Sequence, residues 1–303
     1  MADNAAKADE FKKQAEKKLK GLGWFSNKYE EAAELLEKAA NNYKLAKCWN
    51  DAADCYTKLA ECHLKLDSKH EAASNFVEAA KSAARTQPQL STQLLQKAVG
   101  LYTDMGRLNM AARQLKEIGE VNEKQGLKEE AITFYEQAGE LFETEGSTSE
   151  ATKCRLKIAE FSAEMKKYPK AVDIYEEAAK RATENNLLKF SARGYLLNAG
   201  ICLMCYASPD ELEKRINKYM DIDLQFSDSR EHTLLNSLLE AMQSQDDQMF
   251  ATALAEYDKM TRLDPWKTKL LLEAKRRIQD MQLGVGGGAG EGEEENNSED
   301  DVL

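Results

Sequence analysis

The sequence is poor in the features that announce catalysis or membrane residence. No apolar run approaches the roughly 18 residues that a membrane span needs, and the first residues, MADNAAKADEFKK, contain no hydrophobic signal core. A cytosolic protein is therefore expected. Histidine occurs only three times, at His63, His70 and His232, scattered along the chain. No Walker loop, nucleophile elbow or dinucleotide fingerprint stands in a suitable context. GVGGGAG at 284–290 has no strand or phosphate-binding helix around it and reads as a linker. Six cysteines in 303 residues do not make a secreted disulfide framework. Cys48, Cys55 and Cys62 fall seven apart, on one helical face, without zinc-type partners. Cys202 and Cys205 form a C-x-x-C inside an apolar helix with no preceding strand, which favours packing over redox chemistry. No enzyme, metal or cofactor is expected. A net charge of −11 argues against nucleic acid.

What is abundant is helix-forming sequence with a repeat. A small residue, a bulky one three on and a small one seven on recur throughout. Ala33–Leu36–Ala40, Ala53–Tyr56–Ala60 and Ala73–Phe76–Ala80 open the series. A weaker copy runs from Gln93 to Gly100, with Leu94 and Leu95 supplying the bulk. Ala112–Leu115–Gly119, Ala131–Phe134–Ala138, Ala151–Cys154–Ile158, Ala171–Ile174–Ala178 and Ala192–Tyr195–Ala199 complete it. Spacings of three and seven share one helical face. Small residues there let neighbouring helices approach, and the large one fills the groove. A step near 20 is one helix and a turn, so two steps make a tetratricopeptide-like hairpin. All four prolines can begin helices. Ser208-Pro209-Asp210-Glu211 reads as a capping box, Ser68–Glu71 and Ser147–Glu150 as two more, Asp264-Pro265 as a similar start. Gly106, Gly126 and Gly146 mark turns. Period-two strand segments are absent.

The fold class that follows is all-α: a tetratricopeptide-like array of helical hairpins over residues 1–207, a C-terminal helical bundle over 208–283, and a Gly-rich acidic tail over 284–303, expected to be disordered. Seven carboxylates and no base lie in that tail, and without it the net charge falls from −11 to about −4.

Three patches can carry function. Leu22, Trp24 and Phe25 sit in a turn at 21–26 beside Lys17, Lys18, Lys20 and Lys28. The turn can tuck against the array, or it can act as a small membrane foot, with Trp at the headgroups and lysines on anionic lipid. Basic residues recur about every 40 residues: Arg107 and Arg113, then Lys153 and Lys157 around Arg155, then Lys189 and Arg193. In a solenoid, equivalent positions two helices apart align, giving either a solvated charged face or a positive stripe for an acidic, elongated partner. The chain ends Glu299-Asp300-Asp301-Val302-Leu303, a short acidic ligand for a basic cleft.

Several longer segments resemble one family. SKHEAA (68–73), YTDMGRLNMAAR (102–113), TKCRLKIAEF (152–161), KAVDIYEE (170–177), NNLLKF (185–190), FSDSRE (226–231) and EYDKMTRLD (256–264) are similar to, and in the order of, the α-SNAP (soluble NSF attachment protein) family. The resemblance covers roughly residues 10–283. It implies a right-handed, twisted sheet of helical hairpins capped by a helical bundle. It also implies an adaptor that coats the SNARE complex (syntaxin-type, SNAP-25-type and synaptobrevin-type helices) and recruits and stimulates the NSF hexamer, which supplies the ATP chemistry. Carried over by position, the SNARE-facing residues are Arg107, Arg113, Lys153, Lys157, Leu187, Phe190 and Arg193. Position 190 is usually Tyr in animal members. Leu22, Trp24 and Phe25 match the membrane-attachment loop, implying weak, peripheral membrane contact. Lys267, Lys269 and Lys275, with Glu299, Asp300, Asp301, Val302 and Leu303, match the NSF end. The tail departs from the family pattern: GVGGGAGEGEEENNS precedes the acidic end, and Val302-Leu303 replaces the usual penultimate-Leu ending. A generic peptide-clamping tetratricopeptide scaffold is the alternative that the residues alone leave open, as is a diverged member that binds SNAREs but stimulates NSF poorly.

Overall fold

A computed structural model describes residues 2–21, 25–185 and 188–282. Among these there are fourteen α-helices and no strand. The chain divides into two compact units at Phe161–Ser162, inside one helix. The boundary expected after Ala207 falls within the second unit.

The first unit holds α1 (Ala2–Lys20), α2 (Phe25–Ala46), α3 (Trp49–Lys65), α4 (Lys69–Ala83), α5 (Pro88–Asp104), α6 (Leu108–Lys124), α7 (Lys128–Thr144) and most of α8 (Thr148–Glu164). Phe25 and Ser26, expected in the 21–26 turn, belong to α2. Helices adjacent in sequence pack against each other from α1 to α7. The small–large–small face is the packed one: Ala53, Tyr56 and Ala60 are buried, as are Ala73, Phe76 and Ala80. Two registers differ from expectation. In α5 the buried set is Ser91, Leu94, Leu95 and Ala98, while Gln93 and Gly100 are exposed. In α7 the buried ring is Tyr135, one residue after Phe134. Spacings of three and four both lie on one helical face, and the neighbouring helix decides which residue enters the groove. Gly119 admits that Tyr135 ring, since a Cβ there would stand 3.1 Å from it.

Six of the turns share one construction. Cys48, Ser68, Arg107, Leu127, Ser147 and Lys167 each return their N–H to a carbonyl five residues back, at 2.8–3.0 Å, the Schellman closure of a helix end. The residue before each has positive φ: Gly106, Gly126 and Gly146 as expected, but also Lys47, Asp67 and Lys166, where a side chain costs about 1 kcal/mol. This geometry also explains why Ser68 does not cap. Its ψ of 71° follows the left-handed residue, and its side chain makes no capping bond. The Ser147 hydroxyl donates instead to Asn109 Oδ1 at 2.9 Å. The expected boxes at 68 and 147 are therefore ordinary Schellman exits, whereas Ser208 does accept from the Glu211 N–H, and Asp264 from the Lys267 N–H. All four prolines stand in the first turn of a helix.

The second unit contains α9 (Tyr168–Thr183), α10 (Lys189–Met204), α11 (Pro209–Ile222), a 3-10 turn (Phe226–Asp228), α12 (Arg230–Gln243), α13 (Asp247–Met260) and α14 (Pro265–Gln282). In α9 and α10 the buried bulk is Tyr175 and Leu196, not Ile174 and Tyr195. Polar locks join these helices. Arg215 of α11 donates two bonds to Glu176 of α9, at 2.9 and 2.7 Å, and the buried Tyr219 hydroxyl donates to the same carboxylate at 3.0 Å. Arg277 Nη1 of α14 donates to the carbonyls of Met204 and Ala207, at 3.1 and 2.7 Å, closing the end of α10.

Two glycines of α10 give a paired test. A Cβ on Gly200 would stand 2.6 Å from the buried Leu235, whereas one on Gly194 meets nothing within 4 Å. Gly194→Ala is expected to raise stability by about 0.5–1 kcal/mol through helix propensity. Gly200→Ala is expected to lower it by about 1–3 kcal/mol through overpacking. Urea unfolding of both variants checks the opposite signs.

Candidate functional site

Three of the four expected basic positions of the first unit, Arg113, Lys153 and Lys157, line the groove between α6 and α8. Two adjoining depressions, of about 560 and 490 Å³, run along it. Their bases are Arg113, Lys116, Lys124, Lys153 and Lys157. Their carboxylates are Glu117, Glu120, Glu123, Glu150 and Glu160. The part of the expected stripe that lines this groove is surrounded by carboxylates equal in number to the bases.

The pairing explains why. Lys116 of α6 donates to Glu150 of α8 at 2.8 Å, and Lys153 reaches the other oxygen of Glu150 at 2.6 Å. Lys157 of α8 donates to Glu123 of α6 at 2.9 Å and pairs with Glu160 at 3.2 Å, with its ammonium 5.5 Å from the Phe161 ring centre. Lys116–Glu150 and Glu123–Lys157 are both 34 residues apart, as is Lys44–Glu78. That separation is one helical hairpin, so each pair ties a helix to the next but one. Arg155 turns the other way and holds Glu143 of α7 at 2.7 Å.

Electrostatics follow from these contacts. The hydrogen bonds from Lys116 and Lys153 hold the Glu150 carboxyl down to about 2, against a smaller opposing effect of burial. Its folded-state pKa lies below the ordinary 4.5, so its contribution to stability is complete above about pH 4.5 and is lost as pH falls toward 2. Burial alone would lower the Lys157 pKa, but the bond to Glu123 and the charge of Glu160 outweigh it and raise it. Lys116 behaves likewise through Glu150. These lysines stay charged throughout the neutral range.

The other expected positions are dispersed. Arg107 is an exposed residue at the N-cap of α6. In the second unit, Arg193 is committed to Asp223, at 3.1 Å, and to Gln225, at 3.1 Å. The Asp223 side chain is only 1% exposed, so this base anchors α10 to the loop before the 3-10 turn. Phe190 is 79% exposed at the head of α10, next to Leu188 at 44%. Two neighbouring apolar side chains left in water form a natural contact point. Lys267 pairs with Asp264, and Lys275 with Asp247 at 3.4 Å. Lys269 lines an open groove of about 850 Å³ with Arg262, Leu263, Pro265 and Leu272. Leu22, Trp24, Leu187 and the end Glu299-Asp300-Asp301-Val302-Leu303 lie outside the described residues, as does the side chain of Phe25.

Lys116, Lys124 and four of the five carboxylates were not singled out by sequence, and Glu150 was marked only as part of a capping box. Opposite charges 34 residues apart were the available signal.

Five of the six thiols are held protonated by burial. Burial pushes Cys55 and Cys205 up to about 12 and Cys62 and Cys154 to about 11, and raises Cys202 further. No helix among the described residues is long and apolar enough to cross a membrane.

A family model described as "Soluble NSF attachment protein, SNAP" matches residues 6–279. The chain is 41% identical to an alpha-soluble NSF attachment protein of Vitis vinifera over 93% of this chain and 98% of that one. It is 39% identical to the Mus musculus protein of the same name, over 90% and 93%. With a probable vesicular-fusion protein sec17 homolog of Schizosaccharomyces pombe it shares 37% identity, over 91% and 98%.

Proposed function

The chain belongs to the soluble NSF attachment protein family, and from that membership we propose that it binds assembled SNARE complexes and brings the NSF ATPase to them for disassembly in vesicle trafficking. The observation that carries this reading is the match over 6–279, with relatives of nearly the same length. The chain acts as an adaptor, and the ATP chemistry is NSF's.

In this reading the α6–α8 groove meets the acidic surface of the SNARE rod through Arg113, Lys153 and Lys157, and the exposed Arg107 at the N-cap of α6 adds a further charge. Phe190 adds an apolar contact. Arg193 contributes least, because its partner Asp223 is buried, whereas the carboxylates paired with Lys153 and Lys157 are about one-third exposed. Exposed ion pairs are worth only about 0–1 kcal/mol each, so tight coating requires several copies on one rod. Leu22, Trp24 and Phe25 give a weak membrane foothold that keeps the adaptor peripheral on membranes of the cytosolic face. The α14 end, with Lys267, Lys269 and Lys275, and the acidic tail ending in Val302-Leu303 face NSF.

One feature favours a second reading. The Gly-rich spacer before the acidic end shifts the register of the tail, which fits a member that occupies SNAREs but stimulates NSF weakly.

NSF- and ATP-dependent disassembly of a purified SNARE bundle tests both. The full chain is expected to support disassembly, and a chain ending at Leu283 to bind without supporting it. Equal activity would make the tail dispensable. Binding without disassembly by either form would establish the second reading, and absence of binding would overturn both.

A further inference from the structure

The two lysines offered to an acidic rod, Lys153 and Lys157, are already paired inside the chain. Glu150 sits between Lys116 and Lys153, at 2.8 and 2.6 Å. Lys157 sits between Glu123 and Glu160, at 2.9 and 3.2 Å. Two of these carboxylates are not free to swing away. Glu123 also accepts the hydroxyl of the buried Tyr135 at 2.9 Å, and Glu150 is tied to α6 through Lys116. An incoming carboxylate must therefore displace an internal partner or approach with that partner still beside it. Either route makes association weaker than a bare stripe of lysines would give.

Resting on the docking role proposed above, we propose that Glu150 and Glu160, together with Glu123, are the residues that set affinity: internal counter-ions that keep the groove neutral in the free chain and turn docking into an exchange of ion partners. Weakly acidic surfaces gain nothing from such a groove, because they cannot outcompete carboxylates held within 3.2 Å. A rod presenting several carboxylates in register with Lys153 and Lys157 can exchange them together. The groove thereby selects for dense acidic helices and releases them readily once the rod is dismantled.

The experiment is equilibrium binding of the full chain to an immobilised SNARE bundle over a salt series. The variants are Glu160→Gln, Glu150→Gln and the double. Glu160→Gln leaves the Lys116–Glu150 bridge in place, so it tests the idea even if loss of that bridge loosens α6 against α8. Glu160→Gln is expected to tighten binding about twofold and the double variant about fivefold at low salt, since each neutralised pair is a small term. The gain shrinks as salt screens the groove. Lys153→Glu with Lys157→Glu is the reference. If that reversal abolishes binding while the glutamine variants bind no tighter than the parent, the counter-ion role is wrong and the docking role stands. If the reversal leaves binding intact, the docking role falls and the counter-ion role with it.

Discussion

Reversing Lys153 and Lys157 together is expected to weaken binding to an assembled SNARE bundle by about 10- to 100-fold at low salt. Each reversal removes an attraction worth about 0.2–1 kcal/mol and replaces it with repulsion of similar size. Two such changes sum to roughly 1–4 kcal/mol, and the middle of that span, about 1.4–2.7 kcal/mol, is 10- to 100-fold in affinity. The loss should fade at high salt, where the screening length drops to a few ångströms. The substitutions also act inside the chain. A glutamate at 153 would face Glu150, now 2.6 Å from the lysine, and one at 157 would face both Glu123 and Glu160. Some loss of stability, about 1–2 kcal/mol, is therefore expected, and circular dichroism with a thermal melt separates it from lost binding. Reversal of Lys13 and Lys17, exposed on α1, changes net charge equally and should leave SNARE binding nearly unchanged. Equal weakening by both pairs would mean that overall charge matters and the groove does not.

The second large effect is on folding. Arg277→Met is expected to destabilise the second unit by about 3 kcal/mol. One nitrogen, Nη1, serves the carbonyls of both Met204 and Ala207 where α10 ends. Hydrogen bonds from a charged donor are worth about 1.5–3 kcal/mol each, and unpaired carbonyls add a penalty. The cation also opposes the negative end of the α10 dipole. Burial lowers the Arg277 pKa, a sign that the guanidinium is partly desolvated to make these contacts. Because a single nitrogen does the bonding, Arg277→Lys should recover part of the loss. Arg276→Met, one residue away and exposed, should change stability by less than about 0.5 kcal/mol. Thermal unfolding followed by amide exchange in α10 and α14 reads the difference. A neutral Arg277→Met would show that water satisfies those carbonyls equally well.

For this protein the sequence by itself determined the helical class, the step near 20 residues and the face that packs. Those properties are local: a period of 3.6 fixes which residues share a face, proline starts a helix at little cost, and glycine ends one with positive φ. It also marked the bases at 113, 153 and 157 as candidates, through the same periodicity. Several choices needed the tertiary structure. Whether Phe134 or Tyr135 enters the core depends on the space above Gly119, which α7 alone does not define. Lys47, Asp67 and Lys166 take left-handed turns that glycine would mark in sequence, because packing of the flanking helices outweighs the local cost. Above all, the character of the groove was decided between elements. Glu123 and Lys157, or Lys116 and Glu150, are unrelated in a one-dimensional reading, and they meet only because stacked hairpins bring residues 34 apart to within 3 Å. A list of bases therefore predicted a positive stripe, whereas the folded chain carries a groove lined by as many carboxylates as bases, with Lys116, Lys153 and Lys157 already paired.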